Sequence, residues 1–133
     1  MKRTLLSISA GVMVAVASTA LAPTALAASG GLAGTWTSVD TDGSNQTLAV
    51  RGSGGRVYSM VYVDESATNA CGGAPARISG PGFVDGDGVV MVGPLVCLPG
   101  GNVFRERFAI GFEYDPGADT LTDDFGIVWH RAP

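Results

Sequence analysis

Residues 103–114 read VFRERFAIGFEY. Phe104, Phe108, Ile110, Phe112 and Tyr114 fall on alternate positions and share one face, interrupted only by Glu106. Arg105, Arg107 and Glu113 fall on the other face. Successive side chains of an extended chain point to opposite sides, so this is the pattern of an antiparallel strand with one face in a core and one in water. No stretch after residue 27 carries a helical pattern.

The same reading extends outward. Upstream, GTWTSV (34–39), QTLAVR (46–51) and RVYSMVYVD (56–64) are short strands separated by DTDGS and GSGG. In the third, Tyr58, Met60 and Tyr62 share one face and Val57, Val61 and Val63 the other. Residues 65–76 form the longest irregular stretch. RISGPGFVDGDG (77–88) reads as a strand bent at Gly80-Pro81-Gly82 that enters an Asp-Gly hairpin. VVMVGPLVC (89–97) follows, with Pro94 marking an edge or a bulge. Downstream, DPGAD turns into TLTD (120–123), and GIVWHR (126–131) is the last strand. Eight short sequential strands joined by tight turns predict an all-β, antiparallel up-and-down barrel, because closure removes exposed edges. A two-sheet sandwich is the alternative.

Residues 1–27 are expected to be a secretory signal peptide. Lys2-Arg3 is followed by a Leu-, Val- and Ala-rich run, and Ala25 and Ala27 suit cleavage after residue 27. The run is short for a bilayer span and is broken by Ser18, Thr19 and Pro23. A flexible tail over 28–33 and one domain over 34–133 would follow. That mature chain carries six arginines, no lysine and twelve acids, a net charge of −6. Such a surface repels phosphate backbones and anionic membranes, so neither nucleic acid nor membrane is an expected partner. Cys71 and Cys97, in an oxidising compartment, are expected to pair. Closing that loop stabilises the fold by roughly 3 kcal/mol on the chain-entropy account.

Gly34-Thr35-Trp36 on the first strand, with Arg131 at the end of the last, resembles the calycin superfamily of lipocalins, avidins and small bacterial metalloprotease inhibitors. The resemblance implies that Trp36 closes the barrel floor and that Arg131 packs across it, where cation–π attraction and covered apolar surface coincide. The chain is shorter than a full lipocalin and has no pattern for the C-terminal helix of those proteins. Residues 114–131 also fit the ending YDPxxDTLTDxxGxVWxR, which is similar to that of secreted actinobacterial proteins of unassigned activity.

Candidate chemistry is sparse. His130, the single histidine, falls on the face opposite Trp129 and Arg131 and is expected to point outward. No Gly-x-Ser-x-Gly elbow is present, so nucleophilic catalysis lacks its parts. Asp40/Asp42, Asp64/Glu65, Asp85/Asp87 and Asp123/Asp124 sit at strand ends, where Asp suits turns. DTDGSNQTLAVR does not fit a calcium loop, since Asn45 and Arg51 stand where glycine and glutamate are required. Glu106 is the exception, a carboxylate on an apolar face: it is the residue a small hydrolase would use, while a bulge that turns it outward or an arginine partner is the commoner explanation.

Tyr58, Met60, Tyr62 and Glu106 are thus the weak candidates for a ligand site, and no metal or cofactor is expected. An eight-stranded barrel is filled by its own side chains or holds one small ligand. With strands this short a filled interior is expected. The reading is a secreted, monomeric, non-enzymatic binding protein that engages a protein such as a protease, or alternatively a small apolar ligand.

Overall fold

A computed structural model describes residues 31–133, and the signal-peptide expectation over 1–27 falls outside them. Eight strands run through the described residues: β1 (Gly34–Val39), β2 (Asn45–Arg51), β3 (Val57–Asp64), β4 (Ala76–Asp85), β5 (Gly88–Cys97), β6 (Asn102–Asp115), β7 (Thr120–Asp123) and β8 (Val128–Arg131). Each pairs antiparallel with the next. β8 returns to β1, with Arg131 opposite Trp36 and His130 opposite Thr37. The expected meander is therefore a closed barrel and not a sandwich.

Alternation builds the core. Tyr58, Met60 and Tyr62 of β3 are buried while Val57, Val61 and Val63 are exposed or half-buried. On β8, Trp129 is buried and His130 exposed, as its face required. Trp36, Leu48, Met60, Met91, Leu121 and Trp129 are fully enclosed. Each such side chain contributes about 1.5–3 kcal/mol relative to exposure, before conformational entropy is set against it.

Two expectations about irregular segments change. One helical turn, α1 (Thr68–Cys71), lies inside the stretch expected to be irregular. Cys71 is disulfide-bonded to Cys97 at the end of β5, and Gly72 ends the turn in a left-handed conformation. Four residues are too few to show a helical period, so the sequence could not announce it. At the N-terminus, Leu32 and Ala33 of the expected flexible tail pack on the core. Leu32 is buried, and its carbonyl accepts a 3.1 Å hydrogen bond from the Trp36 indole.

The face assignment of β6 also changes at one end. Its pairing with β5 shifts register between Gly93 and Leu95 and again between Leu95 and Val96, around Pro94. At each step β6 holds one residue more than β5, which breaks the alternation seen further along the strand. Glu106 falls in this bulged segment and is exposed, not turned inward among the aromatics. Nearby, the β4 and β5 backbones approach closely because Gly80 and Gly93 lack a Cβ. A Cβ at either position would meet the carbonyl of Val92 or Ser79 on the facing strand.

Strict up-and-down order sorts the connections between two ends. The β1–β2, β3–β4, β5–β6 and β7–β8 connections lie at one end, the mouth. The remaining turns, the entry into β1 and the exit from β8 lie at the other, the floor.

Candidate functional site: the mouth of the barrel

The floor is sealed. The Arg131 guanidinium lies 4.1 Å from the centre of the Trp36 ring. Its Nε and Nη2 donate to the two carboxylate oxygens of Asp119 at 2.7 and 2.8 Å, and its Nη1 donates to the Ala33 carbonyl at 2.8 Å. The Tyr114 hydroxyl donates to Asp119 at 3.0 Å, and its ring meets Trp36 edge-on at 5.9 Å. Arg131 holds the Asp119 carboxyl below the usual carboxylate range. Gly34 is required here by space, since a Cβ would run into Arg131. Gly34, Trp36 and Arg131 thus meet at this end of the barrel.

The mouth is open. A cleft of about 640 Å³ enters the barrel there, so the interior is filled through its middle and floor but not at this end, contrary to the expected filled barrel. Apolar walls come from Ile78, Leu95, Phe108 and Ile110, and from the inner surface of the α1 segment at Ala67 and Ala70. Phe104 and Phe125 stand at the cleft with 57% and 66% of their surface in solvent. Large exposed aromatics gathered at a concavity are a binding signature, unlike scattered ones.

Polar groups converge at the same place. Asp40, Asp42, Asp64 and Asp123 all line the cleft, with Gln46 and Tyr62. Asp64 is only 6% exposed; its Oδ1 accepts from the Ser44 hydroxyl at 3.0 Å and the Ser66 amide at 2.9 Å. Asp123, 7% exposed, accepts from the Phe125 and Ile127 amides and from the Trp129 indole at 3.0 Å. Gln46 accepts from Ser38 and donates to the Tyr62 hydroxyl at 2.9 Å. Burial, and after it the fields of Asp64, Asp40 and Asp123, push the Tyr62 phenol well above the usual tyrosine range.

The α1 segment closes one side. The Thr68 hydroxyl donates to Asp42 Oδ2 at 2.7 Å, and the disulfide fixes the other end of the turn to β5. Hydrogen bonds from Ser44 and Thr68 hold the Asp42 carboxyl below its ordinary range.

Of the residues singled out from the sequence, Tyr62 lines the cleft, while Tyr58 and Met60 pack in the core. Glu106 is exposed and is not part of the lining. The aspartates had been read as turn residues, and Asp40 and Asp42 do serve one: Ser44 N–H donates to Asp42 Oδ1 at 2.9 Å. Their convergence was available from connection order, since Asp40, Asp42, Asp64 and Asp123 all sit beside connections that a meander brings to one end. Among the described residues no three metal-ligating side chains are grouped to hold an ion, and no helix is long and apolar enough to cross a membrane. No family model, curated protein or solved structure matches the chain.

Proposed function

We propose that this is an exported, non-enzymatic binding protein of calycin-like build whose ligand site is the cleft at the barrel mouth. One observation carries the reading: a barrel sealed at one end by Trp36 and Arg131 opens at the other into an aromatic-walled cleft of about 640 Å³. That volume suits a small molecule, and a closed barrel supplies a largely preformed site. The disulfide accords with an oxidising destination. Glu106, the one acid considered for hydrolysis, stands outside the cleft, which supports binding over catalysis.

Native mass spectrometry of the secreted protein tests this against a Phe108→Asp variant, which charges the cleft wall. Extra mass that disappears on denaturation and is missing from the variant is the expected result. An apolar fluorescent probe that binds wild type and variant alike would sink the reading.

The exposed Phe104 and Phe125 also suit a protein partner, a protease included, as rim anchors. A partner held by the rim alone would lose affinity in Phe104→Ala and Phe125→Ala and keep it in Phe108→Asp.

A further inference from the structure

The polar side of the cleft lacks a counter-charge. Asp64 and Asp123 are more than nine-tenths buried, and neither they nor Asp40 and Asp42 form an ion pair with any described residue. Burying a carboxylate is costly unless hydrogen bonds or a cation compensate it. Asp123 spends both oxygens on three N–H donors. Asp64 does not: Oδ1 takes two hydrogen bonds, and Oδ2 takes none among the described residues. Tyr62, a residue 9% exposed, accepts from Gln46 through its hydroxyl, which finds no acceptor for its own hydrogen among the described residues.

The opposite wall is aromatic. Phe104, Phe108 and Phe125 present rings to the cleft, and π faces attract cations. The wall already shows this property, because the Arg105 guanidinium lies 5.8 Å from the centre of the Phe108 ring. Arg105 itself is exposed and makes no ion pair with the cleft aspartates.

Resting on the reading of the cleft as a ligand site, we propose that its ligand is a small organic cation: an ammonium or guanidinium group on an aromatic or branched apolar body. The charged group sits at Asp64, within the field of Asp40, Asp42 and Asp123, and the body lies against Phe104, Phe108 and Phe125. A metal ion is the poorer fit, since the described residues do not bring three ligating side chains together and phenyl rings do not ligate. No buried side-chain oxygen among the described residues lacks a partner, so Asp64 Oδ2 is open to solvent, and a neutral apolar ligand would cover it without compensation. An anion would meet four carboxylates.

Three probes of nearly one shape separate these cases: 2-phenylethylammonium, 2-phenylethanol and phenylacetate. Each is titrated into the intact protein at neutral pH while the Trp129 indole N–H resonance, bonded to Asp123 beneath the cleft, is followed by NMR. The ammonium is expected to bind about tenfold or more tightly than the alcohol, as a charge-assisted hydrogen bond warrants, and phenylacetate most weakly. Asp64→Asn should remove the preference while leaving alcohol binding and the Trp129 resonance in place.

Asp87→Asn, at the floor-end turn, removes one negative charge as Asp64→Asn does and should leave the preference intact. Equal binding of ammonium and alcohol overturns the cation and leaves the cleft reading standing. A preference that survives Asp64→Asn, or that falls equally in the floor-end variant, reduces it to the attraction of an acidic surface and overturns the site. If no probe moves the resonance, both the cation and the cleft reading fall.

Discussion

The two ends of this barrel use the same residue types and differ in whether the protein supplies a cation. At the floor, Trp36, Tyr114 and Asp119 surround Arg131, so the protein supplies its own positive charge and the end is shut. At the mouth, Trp129, Tyr62, Asp123 and Asp64 form a comparable set of indole, phenol and carboxylates with no basic side chain paired to them. One arrangement is complete and structural. The other has no cation of its own, and under our proposal a ligand supplies one, so the same chemistry serves stability at one end and recognition at the other.

Substitutions should separate the ends sharply. Trp36→Ala removes a fully buried indole from the floor and should destabilise by about 3–5 kcal/mol, a fall in melting temperature of more than about 12 °C by calorimetry. Phe125→Ala at the mouth should change stability by less than about 0.5 kcal/mol, since the ring is mostly in solvent. Comparable losses in the two variants would erase the distinction.

Next in size is the disulfide. Cys71 and Cys97 lie 26 residues apart, and replacing both with serine should cost about 3.5 kcal/mol on the chain-entropy account. Amide exchange should rise most around residues 66–74, at the mouth. A rise at the floor instead would mean that the two ends unfold together.

Arg131→Lys keeps the charge but loses the two-pronged contact with Asp119 and the planar stack on Trp36. A loss of about 1–2 kcal/mol in denaturant unfolding is expected. Wild-type stability in this variant would reduce the floor's cation to a point charge.

The smallest effects concern pH, and Asp119 at the floor and Tyr62 at the mouth respond in opposite directions. Asp119 is held below its ordinary range by Arg131. Its contribution is therefore present above a pH of about 4 and is lost as pH falls through the lower, folded-state value. Tyr62, raised first by burial and then by the aspartates, favours the neutral phenol when folded. Its contribution is present below a pH of about 10 and is lost as pH rises beyond that. Ultraviolet titration of the phenols should show Tyr62 resisting ionisation until the barrel opens. In Tyr62→Phe the alkaline loss of stability should shrink, and an unchanged alkaline limb would remove the mouth from the pH response.

Legibility tracked how local the determinant was. Strand positions and faces came from period-two alternation, visible within six to fourteen residues. For the floor, the resemblance to the calycins pointed to Gly34, Trp36 and Arg131, and the closed meander puts their first and last strands side by side. For Glu106 two orientations stood open, inward on the apolar face or turned outward by a bulge, and the extra residues in β6 opposite Pro94 decide for the outward one. The four cleft aspartates were seen but assigned to turns, a role that Asp42 also fills.

By itself the sequence determined the number and pairing order of the strands and the disulfide, since each follows from residue types and their pattern along one chain. Only the tertiary structure decided that the mouth stays open, that α1 forms one of its sides, and that Asp64 is buried there without a cation. Those depend on how far side chains from four connections reach across the barrel, a distance in space that separation along the chain does not contain.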